Sequence, residues 1–351
     1  MARDYSKFLP EAVTAPRPSP LAALGWQSWF AQQVDADEMT QTPPVRVTRI
    51  DRSGLTVTGD GIDQVLPPRA DVTVGDWLLL SDDAPVLERK SLVKRRAAGH
   101  DRSVQLIAAN IDTTFIVTSC NADFNVARLE RYLALAFDAG TDPVIILTKP
   151  DLADPAPYVA KAEAIAQSVP VIAVNAKADG PGVVAALAPW CKPGRTVAFL
   201  GSSGVGKSTL VNALSGSDAV VTGAIREDDA RGRHTTTRRE LYVVAAGFAV
   251  LDTPGMRELQ LTDVSAGIEE VFADLAELSR NCRFNDCAHE TEPGCAVQAA
   301  LRAGTLDADR MARWKKLAAE DAHNSADLAE RRRRDKAFTK RVNKAVKAKP
   351  R

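Results

Sequence analysis

The stretch that decides the fold is a short glycine-rich run, Gly201-Ser202-Ser203-Gly204-Val205-Gly206-Lys207-Ser208-Thr209. It fits the pattern G-x-x-x-x-G-K-[ST], follows an apolar run at 196–200 and opens a helical pattern that reaches Leu214. In this context the backbone N–H groups of the loop turn towards phosphates, Lys207 reaches the β- and γ-phosphate oxygens, and the Ser208 hydroxyl binds Mg²⁺. The run therefore predicts a nucleoside triphosphate site with Mg²⁺ as cofactor, in which Lys207 takes part in catalysis.

Two strings upstream of this loop indicate that the base is guanine. They are Thr148-Lys149-Pro150-Asp151 and Asn175-Ala176-Lys177. The Asp151 carboxylate can accept hydrogen bonds from N1–H and the 2-amino group of guanine, a pair of donors that adenine lacks. We expect the stem of Lys149 to lie along the base and the amide of Ala176 to face guanine O6. Both strings are therefore assigned to nucleotide binding.

The form and the order of these strings are unusual. Thr148 stands where most GTPases have an Asn that ties neighbouring loops together, so we expect a looser hold on the nucleotide. Asn175 stands where Ser is usual. An ordinary GTPase runs from the phosphate loop to the base-reading loops, whereas here the base-reading pair comes first. The order predicts a circular permutation, in which the usual chain ends are joined and new ends open elsewhere.

A third set of motifs lies downstream of the phosphate loop. Asp252-Thr253-Pro254-Gly255 ends an apolar run, so Asp252 can act through a water on Mg²⁺ and the Gly255 amide can contact the γ-phosphate. The polar segment 226–239 is typical of a switch that becomes ordered on a phosphate and Mg²⁺, and it contains His234-Thr235-Thr236-Thr237. We choose Thr236 as the hydroxyl that completes the Mg²⁺ shell.

The catalytic residue is the least constrained assignment. Met256 follows Gly255 where many GTPases have Gln, and a thioether cannot orient the attacking water. We therefore expect slow unassisted turnover and assign catalysis to His234, whose neutral imidazole can position water once a partner orders the switch. A solvent-exposed histidine without that role is an equally open interpretation, and Arg233 or Arg238 could stabilise the transition-state charge instead.

The surrounding patterns predict a multidomain fold. Residues 107–264 alternate apolar strands, among them 113–119, 171–174 and 196–200, with amphipathic helices, as a doubly wound α/β sheet requires. A further helical pattern follows at 268–279. Residues 45–93 contain five short alternating runs, the last at 86–89, which favours an N-terminal OB-fold β-barrel, with an SH3-like barrel as the open alternative. The predicted division is an N-terminal extension at 1–42, the OB-fold domain at 43–96, a circularly permuted α/β P-loop GTPase domain at 97–265, a zinc-binding α-helical domain at 266–330 and a basic tail at 331–351.

Two features of the N-terminal part concern its surroundings. The aromatic patch at 26–30 predicts a short helix that docks its Trp and Phe on a neighbouring domain, with a partner-binding helix as the alternative. Scattered basic side chains could face RNA or be ordinary surface charges. These side chains are Arg46, Arg49, Arg69, Lys90, Lys94, Arg95 and Arg96.

A cysteine cluster predicts a metal site near the C-terminus. Cys282, Cys287, His289 and Cys295 supply three thiolates and one imidazole within fourteen residues, the ligand set of a closed structural zinc site. Such a site would organise a module too short to bury its own core. Because the spacing differs from the commonest zinc fingers, plainly buried cysteines remain the alternative.

The charge of the chain is concentrated at one end. The formal net charge is zero, yet residues 331–351 hold eleven Lys and Arg against the single acid Asp335. This tail is either a solvated end or an arm for a polyanion such as nucleic acid. No apolar run of 18 residues exists and the first 20 residues lack a secretory signal, so we expect a cytoplasmic protein without a membrane partner, and a monomer.

Taken together, the motifs resemble those of one family, the bacterial circularly permuted GTPases that depend on the small ribosomal subunit, called RsgA or YjeQ/YloQ. The resemblance covers the chain from about residue 45 to its end. Besides the rotated nucleotide motifs, the matching strings are Gln105-Leu106-Ile107-Ala108-Ala109-Asn110-Ile111-Asp112, Gly232-Arg233-His234-Thr235-Thr236-Thr237, Cys282-Arg283-Phe284-Asn285-Asp286-Cys287, His289 and Glu292-Pro293-Gly294-Cys295.

This resemblance implies binding of GTP and GDP and a role in late maturation of the 30S ribosomal subunit, with 16S rRNA as partner. It also implies hydrolysis that is weak alone and stimulated by the small subunit, with His234 involved. Two other functions stay open. One is a nucleotide-gated RNA-binding scaffold with incidental hydrolysis, and the other is a P-loop ATPase or kinase, which would bind ATP in competition with GTP.

Overall fold

The computed structural model describes residues 19–51, 53–96, 104–216, 239–252 and 261–325. The strands are β1 (Pro44–Asp51), β2 (Gly54–Gly59), β3 (Ile62–Leu66), β4 (Trp77–Leu79), β5 (Leu92–Arg96), β6 (Val104–Ala109), β7 (Thr113–Ser119), β8 (Asp142–Thr148), β9 (Val171–Val174), β10 (Thr196–Leu200), β11 (Arg239–Val243) and β12 (Ala249–Asp252). The helices are α1 (Pro20–Ala23), α2 (Ser28–Ala31), α3 (Ala36–Gln41), α4 (Val126–Asp138), α5 (Ala156–Glu163), α6 (Gly180–Leu187), α7 (Lys207–Ser215), α8 (Ser265–Val271), α9 (Ala273–Arg280), α10 (Ala296–Ala303) and α11 (Ala308–Ser325).

The central part is a sheet in the order β11-β12-β10-β7-β8-β9. All neighbours are parallel except β11, which runs antiparallel to β12. The apolar runs suit strands covered on both faces. In β7 every residue is buried, and Ile116 packs into one apolar cluster while Phe115 and Val117 pack into another on the opposite face. The predicted doubly wound sheet is therefore confirmed.

The sheet brings the nucleotide motifs to one edge. The carboxyl ends of parallel strands lie at the same edge, where α/β proteins bind ligands. The phosphate loop follows β10, and the two base-reading strings begin at the ends of β8 and β9. Strand β10, which would come first in an ordinary GTPase, lies between β12 and β7 although it follows β7, β8 and β9 in sequence.

The N-terminal strands are attached to this sheet through backbone pairing. Strand β1 pairs antiparallel with β2 and β4, and its end also pairs with β11 through Arg49↔Glu240 and Ile50↔Arg239. The predicted strand at 86–89 is reduced to one bridge, Leu78↔Val86. Strands β5 and β6 form a separate hairpin that the sequence did not predict. Within the described ranges no ladder joins β3 to β4 or β5, so the OB-fold barrel stays a prediction.

A buried arginine joins the N-terminal strands to the central sheet. The Arg46 side chain is 1 % exposed and donates to the carbonyls of Leu24, Gly75 and Asn110 and to Thr196 Oγ1, the last at 2.9 Å. Burial lowers the pKa of Arg46 to about 10, while Asp112 and Asp76 favour the charged form. The expectation that Arg46 could face RNA is therefore wrong, because its charge is used inside the protein.

The aromatic patch docks as the sequence predicts. Trp26 and Phe30 lie 4.8 Å and 5.8 Å from the Trp77 ring, centroid to centroid. Phe30 and Trp77 are fully buried. The segment around α2 thus covers β4 with an apolar surface.

The C-terminal helices pack on α4. The predicted helix at 268–279 is two helices, α8 and α9, which break at Phe272. Helix α8 approaches α4 so closely that a Cβ on Gly267 would lie 2.0 Å from the Ala134 carbonyl oxygen. Helix α11 meets α4 through ion pairs of Arg131 with Glu320 and of Arg313 with Glu130. No helix among the described residues has the length and apolar character needed to cross a membrane.

Candidate functional site

The phosphate loop has the backbone that its glycines predict. Gly204 and Gly206 have φ values of +76° and +98°, which residues with a side chain rarely adopt, and α7 begins directly after Gly206. A Cβ on Gly201 would lie 2.2 Å from the Val117 carbonyl oxygen, so only glycine fits beside β7. Val205 is buried, while Ser203, Ser208 and Thr209 are exposed. The loop therefore presents an open concave backbone at a helix N-terminus, where anions bind.

Lys207 lies over this loop. Its Nζ donates to the carbonyl oxygens of Gly201 at 2.8 Å and Ser202 at 2.5 Å. These two bonds hold the ammonium group at the mouth of the loop, beside the backbone that would surround the phosphates. The contact of Lys207 with the phosphates stays a prediction.

Thr148 makes the tie that the usual Asn is expected to make. It is buried, and its hydroxyl Oγ1 lies 2.5 Å from the Val205 carbonyl oxygen and 3.1 Å from the Thr118 carbonyl oxygen. The hydroxyl has a single proton for these two acceptors, and the shorter distance favours the Val205 carbonyl of the phosphate loop. The tie between loops is therefore present; whether nucleotide affinity is weaker stays a prediction.

Lys149 adds a second link between the base-reading and phosphate loops. Its Nζ donates to the Gly204 carbonyl oxygen at 2.8 Å, and its backbone φ is +57°. The aliphatic stem therefore runs from the end of β8 towards the phosphate loop. The contact of this stem with the base stays a prediction.

Asp151 and Asn175 come together from neighbouring strands. The Asn175 Nδ2 amide donates to Asp151 Oδ1 at 3.0 Å, while Asn175 Oδ1 accepts from the amide of Ala178 at 3.2 Å. Asp151 and Lys177 are exposed, and Ala176 is half-buried. Asn175 therefore orients the carboxylate predicted to read guanine, and an unusual residue at this position supports the site rather than disrupting it.

The downstream motifs are only partly within the described residues. Asp252 ends β12, whose parallel pairing with β10 carries its backbone to the same sheet edge as the phosphate loop. Gly255, Met256, Arg233, His234, the threonines at 235–237 and Arg238 lie outside the described residues, as do the basic tail and residues 1–18. The choice of Thr236 and His234 accordingly stays a prediction.

Sequence reasoning missed one residue beside the phosphate loop. Arg128, in the first turn of α4, donates from Nη1 to Ser202 Oγ and to Asp123 Oδ1, the latter at 2.9 Å. No spacing rule connects residues 128 and 202, because only the parallel pairing of β7 with β10 places the start of α4 next to this loop.

The predicted zinc ligands form a compact cluster. One ligand atom from each of Cys282, Cys287, His289 and Cys295 lies within 4.8 Å of the others. Cys282 Sγ is 3.8 Å from Cys295 Sγ, and His289 Nδ1 is 3.5 Å and 3.4 Å from those two sulfur atoms. Tetrahedral zinc, with bonds of about 2.3 Å to sulfur and about 2.0–2.1 Å to nitrogen, requires separations of about 3.8 Å and 3.5 Å. The donor set therefore fits a metal such as zinc.

Groups around the cluster hold the ligands in place. His289 Nε2 lies 3.3 Å from Ser279 Oγ, which itself donates to the Leu275 carbonyl at 2.8 Å. This contact leaves Nδ1 as the ligand nitrogen, as outer hydrogen bonds to metal-binding histidines commonly do. Cys295 is the N-cap residue of helix α10, and its Sγ accepts from the Gln298 amide at 3.4 Å. The metal would thus fasten α9 to α10.

The sheet order, the phosphate loop and the two base-reading strings at its edge define a P-loop GTPase with a circularly permuted chain. Two solved structures are similar in fold. YjeQ from Thermotoga maritima has 25% sequence identity and a TM-score of 0.57, and the match covers 78% of this chain and 96% of that one. YloQ, described as a circularly permuted GTPase, has 24% sequence identity and a TM-score of 0.54, with 82% of this chain and 97% of that one covered.

The sequence comparisons then fix the family. Residues 86–262 match the RsgA GTPase family model. The small ribosomal subunit biogenesis GTPase RsgA of Mesorhizobium japonicum is 53% identical over 331 residues, covering 90% of this chain and 94% of the relative. The corresponding RsgA 2 of Vibrio vulnificus is 46% identical over 338 residues, with 93% and 95% covered. The chain belongs to the RsgA GTPase family.

Proposed function

We propose that the chain hydrolyses GTP during late maturation of the small ribosomal subunit and that the subunit stimulates this hydrolysis. One observation carries the nucleotide part: Thr148 and Lys149 tie the guanine-reading string to the phosphate loop, while Asn175 holds Asp151. The printed names of the relatives support the ribosomal part. The 30S subunit and its 16S rRNA are the partners proposed for this chain.

The nucleotide is held by two sets of residues in this proposal. Asp151 accepts from guanine N1–H and the 2-amino group, Lys149 covers the base, and the Ala176 amide faces O6, with Thr148, Asn175 and Lys177 supporting the loops. The phosphate contacts come from the whole run 201–209, the Gly255 amide and Lys207. Mg²⁺ would be held by Ser208, Thr236 and, through water, Asp252, and it would neutralise charge between the β- and γ-phosphate oxygens.

The chemical step is assigned to residues of the switch. His234 orients the attacking water in place of the glutamine that Met256 replaces, and Lys207 stabilises charge on the phosphate oxygens. Docking on the subunit orders the switch and brings His234 to the water. Turnover by the isolated protein is slow in this proposal because the thioether of Met256 cannot orient the attacking water.

The remaining parts serve the encounter with RNA. We propose the division predicted from sequence, with residues 43–96 as an OB-fold domain and residues 266–330 as a zinc-stabilised helical domain on either side of the GTPase domain. The basic tail at 331–351 supplies a polyanion-binding arm. The protein acts in the cytoplasm as a monomer in this account.

The test is a GTPase assay with and without purified 30S subunits, on the wild type and on His234→Ala. We expect slow basal turnover, strong stimulation by 30S in the wild type and loss of that stimulation in the variant. Stimulation preserved in the variant would remove His234 from catalysis. Turnover that stays flat in the wild type would favour the RNA-binding scaffold with incidental hydrolysis, and ATP hydrolysis equal to that of GTP would favour an ATPase.

A further inference from the structure

Arg128 connects a helix of the central domain to the phosphate loop. Its backbone amide donates to the Asn125 side chain at 2.9 Å, which caps α4, and its guanidinium spans Asp123 and Ser202. The side chains of Arg128 and Asp123 are each about one-third exposed, at 36% and 35%. The Asp123 carboxylate holds the guanidinium in place, and the guanidinium in turn donates a charge-assisted hydrogen bond to the Ser202 hydroxyl.

The position of Ser202 bears directly on Lys207. The Ser202 carbonyl oxygen accepts from Lys207 Nζ at 2.5 Å, and the Ser202 hydroxyl receives the bond from Arg128. A shift of this residue therefore moves the lysine that contacts the phosphates. Catalysis by electrostatic stabilisation is sensitive to small displacements of the charged group.

The opposite end of the same contact network reaches the C-terminal helices. Arg131, one turn along α4 from Arg128, forms a two-bond ion pair with Glu320 of α11 at 2.6 Å and 2.5 Å. Arg313 of α11 donates to both oxygens of Glu130 at 2.9 Å. A cleft between the two helices is lined by Arg128, Arg131, Arg313, Lys316 and Glu320.

Helix α11 is in turn linked to the metal cluster. The Trp314 ring lies 5.7 Å from the His289 ring, and Lys315 Nζ donates to the His289 carbonyl oxygen at 3.4 Å. Named contacts thus run without interruption from the cluster through α11 and α4 to the phosphate loop. Such a chain can carry a displacement because its members are helices joined by directional pairs.

We propose that Arg128 is a positioning residue for GTP hydrolysis, acting through Ser202 on Lys207, and that the α4–α11 pairing makes its position depend on the C-terminal helices. The dependence on the C-terminal helices rests on the function proposed above, since it requires that docking of those helices on the small subunit changes the position of the phosphate loop. Arg128 does not itself touch the nucleotide in this proposal.

The first test is a double-mutant cycle on basal hydrolysis, with Arg128→Ala, Ser202→Ala and both together. Removal of one charge-assisted bond should lower kcat about 5-fold with KM changed by less than about 2-fold, and the second substitution should add little to the first. Arg302→Ala, which truncates an exposed arginine on α10, is the matched control and should leave kcat unchanged. A kcat for Arg128→Ala within about 2-fold of wild type would overturn the proposal. A loss of kcat that is just as large when Arg128→Ala is added to Ser202→Ala would overturn it too.

Arg128→Lys keeps the charge and the packing stem if the alanine variant does not fold. Both bonds of Arg128 start from Nη1, and the lysine ammonium lies one bond closer to the backbone than that nitrogen. A lysine therefore cannot hold Asp123 and Ser202 at the same distances, so kcat should fall about 2- to 3-fold while the melting temperature is retained. A lysine variant with wild-type kcat would mean that the placement of Nη1 has no role in positioning.

The second test adds 30S subunits to Glu320→Gln, which breaks the pair with Arg131 far from the nucleotide. Basal kcat should stay within about 2-fold of wild type, while the stimulation factor should fall at least about 3-fold. Full stimulation would overturn the coupling to α11. If the wild type itself is not stimulated, the ribosomal function fails, but the basal cycle still decides whether Arg128 positions the phosphate loop.

Discussion

The central sheet meets its two neighbours through very different interfaces. The N-terminal interface consists of the β1–β11 ladder, the buried Arg46 and the buried carboxylate of Asp112. The C-terminal interface is formed by α4 against α8 and α11, with ion pairs at its rim such as Arg131–Glu320, whose side chains are 29% and 28% exposed. Breaking the first would leave buried polar groups without partners, whereas rim pairs can exchange with water at small cost. We infer that the N-terminal strands are fixed on the sheet and that the C-terminal interface is adjustable only at its exposed rim, around Arg131 and Glu320.

This difference suits the proposed function. Strand β11 begins at Arg239, the last residue of the predicted switch, so the fixed interface holds the C-terminal end of that segment. The adjustable interface lies on α4, the helix that carries Arg128 to the phosphate loop. A signal from the C-terminal helices therefore has a route to the phosphates that leaves the N-terminal attachment unchanged.

The largest expected effect comes from removing a metal ligand, which should destabilise the C-terminal helices that form the second interface. Cys295→Ser should abolish stoichiometric zinc binding and the cooperative unfolding of α10 and α11, because the metal replaces a core in this module. The control is Cys191→Ser, since burial raises the pKa of Cys191 to about 12 and keeps it a neutral thiol. Zinc content and hydrogen exchange of residues 296–325 are the measurements, and retained zinc in Cys295→Ser would contradict the assignment.

Replacement of Arg46 should have the next largest effect and should act on the N-terminal interface alone. Arg46→Met removes a buried charge and takes the donor away from the Leu24 and Asn110 carbonyls, while the Gly75 carbonyl keeps its bond from Asn110 Nδ2, so the free energy of unfolding should fall by about 3–5 kcal/mol. The matched variant is Arg49→Met on the same strand, whose side chain is 34% exposed, with an expected loss below about 1 kcal/mol. Urea unfolding followed by Trp fluorescence measures both, and equal losses would show that burial of Arg46 is not what matters.

Asp112 makes the N-terminal interface sensitive to acid. Burial alone would raise the pKa of Asp112, but bonds from Lys90 Nζ at 2.7 Å and from the Thr196 amide outweigh burial and hold the pKa below its usual range. A carboxyl group with a depressed pKa contributes stability above its unfolded pKa and loses it as the pH falls through the folded value.

The corresponding variant is Asp112→Asn, which should lower the free energy of unfolding by about 1–3 kcal/mol at pH 7. The difference from wild type should shrink below about pH 4, where the carboxyl group of the unfolded chain takes up a proton, and should be lost as the pH falls through the lower pKa of the folded state. Urea unfolding at a series of pH values tests this expectation. A difference that stays constant down to pH 3 would show that the charge of Asp112 is not the stabilising feature.

The smallest expected effect is at the rim of the C-terminal interface. Glu320→Gln should lower the free energy of unfolding by less than about 1 kcal/mol, and the difference should diminish further in about 1 M salt because the pair is partly exposed. The same salt should leave the effect of Arg46→Met almost unchanged. Similar salt dependence at both interfaces would remove the distinction between a fixed and an adjustable attachment.

The features that the sequence predicted are those whose signals are local or periodic. The apolar runs at 113–119, 171–174 and 196–200 are strands with those bounds, and the Cys and His ligands lie within fourteen residues of one another. The phosphate loop was predictable because glycine is required where φ is positive. The rotated order of the motifs predicted the permuted sheet, because each motif can be recognised from its own few residues.

The features that escaped prediction depend on residues far apart in sequence. Arg46 was expected at a surface, but its four acceptors lie at residues 24, 75, 110 and 196, which no pattern connects. The tie made by Thr148 to Val205, and the contact of Arg128 with Ser202, likewise arise only when strands pair. The β5–β6 hairpin was missed because Lys94, Arg95 and Arg96 interrupt the apolar alternation of its first strand.

The central claim is that loops in permuted order converge on one guanine nucleotide, and base selectivity of Asp151→Asn tests it most directly. Xanthine carries an oxygen where guanine has its 2-amino group, so an Asn amide should donate where the Asp carboxylate accepts. We predict that the affinity for GTP falls about 100-fold and that the affinity for xanthosine triphosphate rises by a similar factor, with Asp154→Asn, an exposed neighbour, unchanged. An Asp151→Asn variant that binds GTP within about 3-fold of wild type and ignores xanthosine triphosphate would contradict the account.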